Sequence, residues 1–489
     1  MSATSGSRRG GVSAGGAGVN LLTQGSIRRS ILVLALPAMG SMIAQTLFGL
    51  VDGFWVGRLG PDSLAAFGGA SFFYWALLAI SETASVGTAA YVSQLAGAGD
   101  RRGAAAAGSM GLASAFLLGC AVVPIGLAAV APVVGLMRLP PLVAAQALEF
   151  ARAIIVGLPF IYAFYTADAV YRGFGNTRTP MFVDFGAVLL NAILTPALIY
   201  GWGPCPALGI GGAGYATVLA HALGLAVKLA RARANGIDLA FPWGPPGARR
   251  SADAPASHDT PSPWRIGRVG LPVAFTGLWI CGVFVMLTRL LTNYGTAPLA
   301  ALSIGHRLES VPYFACVGFS GAAAALVGQN LGAGQPDRAS RAAWGTVAYC
   351  AALILSVCFV YFFFATQLVG LFTTDPGVID AGARYLRIVA LVEVFMGIEI
   401  VLIGALSGAG DTAMPMLITS LFAAARVPAG AILAGPLGFG VDGIWMAICG
   451  SVVIRGVLMA AWFRTGRWKK RGLTRRGVSA APEIVAGAP

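Results

Sequence analysis

The sequence predicts an all-α integral membrane protein: twelve transmembrane helices in two six-helix repeat lobes, related by a pseudo-two-fold axis along the membrane normal. Three observations lead there. The 489 residues are 57% hydrophobic and only 11% charged, with a mean hydropathy of +0.77, whereas a soluble domain carries about 25% charged residues. Apolar runs that supply the ~20 helical residues needed to cross a bilayer recur along the chain. The chain also repeats itself at a constant offset of 235 residues.

In order, the spans are expected at 31–56, 64–95, 104–131, 143–170, 180–201, 211–230, 269–292, 299–329, 341–370, 379–405, 414–434 and 441–463. Between the sixth and seventh, residues 231–268 are polar and rich in Pro, Ala and Ser, a linker rather than a domain. The organisation is therefore a disordered cytoplasmic tail (1–27), an N-lobe (28–230), a cytoplasmic linker (231–268), a C-lobe (269–466) and a basic cytoplasmic tail (467–489). No apolar stretch precedes residue 31, so no cleaved signal peptide is expected.

The charge balance of 33 Lys and Arg against 19 Asp and Glu orients the chain. Bases gather in the N-terminal tail, the even-numbered gaps and the C-terminal tail, among them Arg28, Arg29, Arg101, Arg102, Arg172, Arg178, Arg249, Arg250, Arg338, Arg341, Lys469 and Lys470. The odd-numbered gaps hold Arg58, Arg138 and Arg384. Positive loops stay inside, which puts both termini in the cytoplasm of a cell bounded by this plasma (inner) membrane. No basic, aromatic-interleaved soluble module exists to bind nucleic acid. The seven cysteines form no CxxC or Cys/His cluster, and the three histidines (His221, His258, His306) are far apart. Neither a metal centre, a disulfide framework nor a metalloenzyme is indicated.

The repeat pairs Pro37 with Pro272, Gly60 with Gly295, Leu64-Ala65-Ala66 with Leu299-Ala300-Ala301, and Gln94 and Gly97 with Gln329 and Gly332. It continues through Gly173-x-Gly175-x-Thr177 and Gly408-x-Gly410-x-Thr412 to Met181 and Met416 without a gap. After one six-residue slip, Gly209, Gly211 and Gly214 pair with Gly438, Gly440 and Gly443. Six spans per half is an even number, so both halves enter the membrane from the same side. That geometry leaves a cavity between them near the midplane and suits alternating access by rocking.

Polar residues inside spans mark the working parts, because a carboxylate at the bilayer centre costs about 2.5–3.5 kcal/mol on insertion scales. Asp52 lies in the first span, seven residues after Gln45 and on the same helix face. Its repeat partner is Leu287, so the fold itself needs no acid there. In the second span Glu82 sits among Ser and Thr, which offers it either a functional or a helix-packing role. On the fifth span Asp184, Asn191 and Thr195 follow i, i+7, i+11, one stripe within roughly 40° on a helix of 3.6 residues per turn. Asp184 starts only four residues into that span, where an interfacial anchor is the competing role. In the second half, Glu309 lies beside His306 and Arg307, where an internal ion pair competes with a cavity role; Glu393 and Glu399 point to different faces, so at least one is expected to line the C-half cavity; and Arg426 precedes Pro428 and is expected to bond freed backbone carbonyls. Gln45, Glu82, Glu309, Glu393 and Glu399 are the candidates for a substrate cavity.

These residues carry a resemblance. From about residue 28 to 470 the chain resembles the MATE (multidrug and toxic compound extrusion) transporters of the MOP flippase superfamily. The carriers are Pro37, Gln45, Asp52 and Gly57 of the first span, VSQLAGAGD at 92–100, VGQNLGAGQPDRA at 327–339, RLES at 307–310, RGFGNTRTP at 172–180, LSGAGDTAMP at 406–415, RVP at 426–428 and RTGRWKK at 464–470. The resemblance implies a V-shaped pair of lobes that exports amphipathic, usually cationic organic compounds against inward H⁺ or Na⁺. It implies a cation-coupling site at Asp52, with Asn191 and Thr217 matching the family's fifth-span Asn and sixth-span Thr. The family's fifth-span carboxylate is replaced by Thr195, and Asp184 is the candidate substitute. A seventh-span Glu of some members is Ile280 here. Na⁺, if it is the ion, is expected at Asp52, Asn191 and Thr217. No cofactor is implied; the partners are small organic molecules and lipid, and the chain is expected to act as a monomer. The alternative within the superfamily is a lipid-linked oligosaccharide or polysaccharide flippase, which predicts a more basic cavity.

Overall fold

The computed structural model describes residues 22–203, 205–239 and 261–473. In chain order the helices are α1 (Ile27–Gly57), α2 (Pro61–Gly97), α3 (Arg101–Leu136), α4 (Pro141–Val156), α5 (Leu158–Gly173), α6 (Arg178–Tyr200), α7 (Gly209–Ala232), α8 (Pro263–Thr292), α9 (Thr296–Gly332), α10 (Pro336–Phe363), α11 (Ala365–Gly370), α12 (Pro376–Ala409), α13 (Ala413–Ala434) and α14 (Gly440–Arg464). The expected tails up to residue 21 and beyond 473, and the linker from 240 to 260, lie outside the described residues.

Local chemistry sets the helix ends. Pro61, Pro141, Pro263, Pro336 and Pro376 open helices at the position where a missing N–H costs nothing. Asp100 accepts from the Gly103 amide at 2.7 Å, and Asp375 accepts from Gly377 and Val378 at 2.8 and 3.1 Å. Gly201 and Gly410 close α6 and α12 at φ 75° and 82°, where a side chain would be strained.

Eleven helices among the described residues are long and apolar enough to cross a membrane, and α4 with α5 supplies a twelfth span bent by 56°. The sequence predicts one straight helix over 143–170; the chain breaks at Gly157 instead. Pro159 has no N–H for the Ile155 carbonyl, so the ladder fails there. Neighbours fill the corner: a Cβ on Gly157 would strike Val218, and one on Gly119 would strike the Pro159 backbone. The ninth span also ends early. Phe364 leaves helical geometry (φ −111°, ψ 19°) and α11 follows as a separate turn. Ala365 and Val369 stay fully buried, so the apolar run gives no sign of the break.

The helices form two six-span lobes, α1–α7 and α8–α14. Each lobe's first helix is rooted in the other. Leu22, Ile31, Leu34 and Ala35 belong to the core of the second lobe, with Phe319, Leu326 and Leu402. Ile266 and Val269 belong to the core of the first, with Tyr91, Leu112 and Phe164. Inside a bilayer, helices associate through close packing and polar contacts rather than by burial from water. Glycines allow that approach along the seam.

At the end of the seam nearest the basic loops, Gln94 of α2 donates to the Gly408 carbonyl in α12 at 2.9 Å. Its repeat partner, Gln329 of α9, donates to the Gly173 carbonyl in α5 at 2.8 Å. Both carbonyls sit in last helical turns, where the ladder leaves them free. The Leu473 amide donates to Gln94 Oε1 at 2.7 Å, laying the segment that follows α14 over the seam. A Cβ on Gly97 would hit the Gln329 carbonyl, and one on Gly332 would hit the Gln94 carbonyl. The double variant Gly97→Val/Gly332→Val is therefore expected to hold this end apart. Spin labels at the exposed positions Arg102 and Arg341 would report a longer distance than in the parent; an unchanged distribution would refute the close approach.

Candidate functional site

Three helices of the first lobe converge on one acid. The buried positions of α1 include Ser41, Ala44, Phe48, Asp52 and Val56, a stripe at helical spacing. On α6 the predicted stripe is buried: Asp184, Asn191 and Thr195 are 4%, 0% and 0% exposed. On α7 the buried set includes Thr217, His221 and Lys228. The Thr195 hydroxyl donates to Asp52 Oδ1 at 3.2 Å, the Thr217 hydroxyl donates to Oδ2 at 2.7 Å, and the Asn191 amide donates to the Thr217 oxygen at 3.1 Å. Asn191 Oδ1 is buried without a partner among the described residues. The partners of the Asp52 carboxylate are all neutral. One negative charge, two hydroxyls and a free amide oxygen make a donor set for a proton or a small hard cation.

Asp184 stands apart from this group. Lys228 of α7 lies 2.8 Å from its Oδ1 and also contacts Asp168 of α5, so the far end of the α6 stripe forms a buried ion triad. His221 lies between the two groups: its Nδ1–H donates to the Thr217 carbonyl at 2.7 Å, and Nε2 faces the Tyr165 hydroxyl at 3.4 Å. Asp168 and Lys228 are absent from the sequence reading. The signal was available, since a lysine inside an apolar span needs an acid partner on a neighbouring helix.

The cavity candidates separate as well. Gln45 and Glu82 are half-buried, and Arg172 and Tyr313 are the charged and ionisable neighbours of Glu82. Glu309 accepts from the Tyr385 hydroxyl at 2.9 Å, with His306 Nε2 at 3.9 Å. Glu393 is buried, and its Oε1 has no partner among the described residues. Glu399 is a different case: it lies in the second lobe's interior, accepting from Thr419 at 3.0 Å and paired with Arg455 at 3.1 Å. An internal ion pair, not an open cavity wall, is its setting. The expectation for Arg426 is corrected too: its Nε donates to the Ser451 hydroxyl at 3.1 Å rather than to a freed carbonyl, because Ser451 of α14 faces it across the lobe. Trp75 of α2 stacks on Phe314 of α9 across the seam, with ring centroids 6.4 Å apart.

Comparison with known proteins bears on this geometry. The MatE family model matches residues 37–197 and again 272–432, two blocks displaced by the same 235 residues as the internal repeat. The curated "Probable multidrug resistance protein NorM" of Thermotoga maritima is 28% identical over 92% of this chain and 95% of its own. "Multidrug resistance protein PmpM" of Pseudomonas aeruginosa is 27% identical over 81% of each. Among solved structures, an outward-facing multidrug resistance MATE family transporter of the MOP superfamily superposes with a TM-score of 0.82 at 23% identity, over 93% of this chain and 98% of that one. A MOP superfamily transporter from Pyrococcus furiosus gives 0.82 at 24% identity, with the same coverage. At these identities the structural likeness is one of fold.

Proposed function

Because the chain belongs to the MATE family, we propose that it is a secondary active multidrug exporter. In this reading it carries amphipathic, usually cationic organic compounds outward in exchange for H⁺ or Na⁺. The single observation that carries the reading is the Asp52 carboxylate, 4% exposed, held by neutral donors from α6 and α7 and with no basic partner among the described residues. A buried acid in that state takes up a positive charge from whichever side reaches it.

The mechanism follows from the connections of α1. An ion on Asp52 competes with the Thr195 and Thr217 hydroxyls and repacks α1 against α6 and α7. Because α1 starts in the second lobe's core, its movement is passed to the seam, and the lobes rock. Substrate binds between the lobes, where Glu82 and the Trp75–Phe314 pair offer a carboxylate and aromatic faces to an organic cation. In this reading the Gln94–Gln329 end of the seam, and both termini, lie on the cytoplasmic side of the inner membrane, which the basic loops support. The chain works as a monomer without a cofactor.

The test is reconstitution into liposomes loaded with ethidium, under an imposed proton gradient, a sodium gradient or neither. Gradient-driven efflux is expected; equal rates in all three would overturn the proposal. Restoring the family's second acid separates the two ions. Thr195→Asp places a carboxylate beside Asp52, and Na⁺ affinity is expected to rise about tenfold, worth about 1.4 kcal/mol. Melting in sodium chloride against choline chloride measures it. Without a sodium-specific rise, position 195 does not belong to the cation site.

A further inference from the structure

Below the Asp52 site the first lobe buries a second charged group, assembled from α5, α6 and α7. Lys228 is fully buried, its Nζ 2.8 Å from Asp184 Oδ1 and in contact with Asp168 Oδ1, above the ring of Phe164. Two carboxylates thus face one ammonium. The other ionisable neighbours do not cancel the excess. Tyr165 and Tyr171 are neutral phenols, and His221 donates from one nitrogen while facing a hydroxyl with the other, as a neutral imidazole does. Arg172, one turn beyond Asp168 and near enough to feel its charge, lies against Gly321 in the seam and also faces Glu82. Counting that pair, three acids still meet two bases.

The second lobe supplies the contrast. The repeat partners of Phe164 and Asp184 are Glu399 and Thr419. There Glu399 pairs with Arg455 at 3.1 Å, with Arg426 as a second positive neighbour, and Thr419 completes its hydrogen bonding. Among the described residues, the first lobe carries an excess of acid at this level and the second does not. An uncancelled charge away from water is expensive, and a shared proton removes the expense.

We infer that the Asp168–Lys228–Asp184 triad is a second proton-binding site: the two aspartates share one proton, and Lys228 keeps its own. One O–H bond forms on a carboxylate oxygen and breaks when the proton returns to water. Lys228 lies eleven residues along α7 from Thr217, about 16 Å at 1.5 Å per residue, and three residues before Arg231. The site therefore stands between Asp52 and the basic end of the lobe, where it serves as the station through which the lobe's proton leaves. That last role rests on the exporter reading; the occupancy of the triad does not.

Infrared difference spectra of the full chain in liposomes, at neutral against alkaline pH, test the occupancy. In an Asp52→Asn background a protonated-carboxyl band is expected that is lost on adding either Asp168→Asn or Asp184→Asn, since each leaves a balanced pair. Bands from Glu82, Glu309, Glu393 and Glu399 cancel in the subtraction. Adding Lys228→Gln instead is expected to give one protonated carboxyl more, a change that a merely structural triad would not make. Either Asn variant suffices if the other fails to fold. No carboxyl band in the subtractions, or no gain with Lys228→Gln, overturns the site. Bands as expected with ethidium efflux indifferent to every gradient would keep the site and remove the exporter reading.

Discussion

Asp52→Asn is expected to abolish ion-driven export and to leave the fold intact. The substitution keeps the shape of the side chain but removes its charge. One oxygen still accepts from Thr195 or Thr217, which approach at 3.2 and 2.7 Å. The ion loses its charge-assisted partner, worth about 1.5–3 kcal/mol, so cation affinity falls by about 10- to 100-fold. A proton loses its acceptor altogether. Because no base among the described residues pairs with Asp52, the folded state loses no ion pair, and the melting temperature should move by no more than a few degrees. Ethidium efflux and thermal melting of the same preparation decide it. Wild-type efflux under a gradient would take Asp52 out of the coupling step.

The largest effect on stability is expected at Lys228. Removing one partner from a buried ion group strands the others, at a cost of about 3–5 kcal/mol, whereas replacing the whole group by neutral side chains is nearly free. Lys228→Met leaves Asp168 and Asp184 facing each other with no counterion. A second proton on the two acids lets the variant fold and accumulate, but it should melt well below the parent. Lys228→Met/Asp168→Asn/Asp184→Asn should recover most of the loss, since three neutral side chains then occupy the same space. Thermal melting of the three proteins in one detergent provides the comparison. If Lys228→Met is as stable as the parent, the ammonium is not what balances these acids.

How much of this was legible in the sequence depends on whether a feature is written along one helix or between several. Hydropathy and the 235-residue offset lie along the chain, and the two lobes follow from them. So does the stripe of Asp184, Asn191 and Thr195, whose spacing alone puts them on one face. The break at Gly157 was not legible from Pro159, because Pro37, Pro124, Pro132, Pro196, Pro272, Pro312 and Pro428 all lie inside helices that continue through them. What separates Pro159 from these is its packing against Gly119 of another helix. The same limit applies to the polar groups. That Asp184 meets Lys228 while Asn191 meets Thr217 depends on the antiparallel register of α6 and α7, which no single span records. Glu399 faces Arg455 instead of the cleft for the same reason.

The two glutamine bonds across the seam set a scale for the work of opening. A neutral hydrogen bond contributes about 0.5–1.5 kcal/mol net, so the pair holds the lobes with about 1–3 kcal/mol. A single elementary charge falling through 100 mV releases about 2.3 kcal/mol. Under the exporter reading proposed above, the clasp is of the same size as the driving force of one ion: strong enough to stay shut in its absence, weak enough to yield to its passage. Its halves are not equal: Gln94 Oε1 also accepts from the Leu473 amide, whereas Gln329 Oε1 has no partner among the described residues, so the Gln329 half has less to give up and is the one built to let go first.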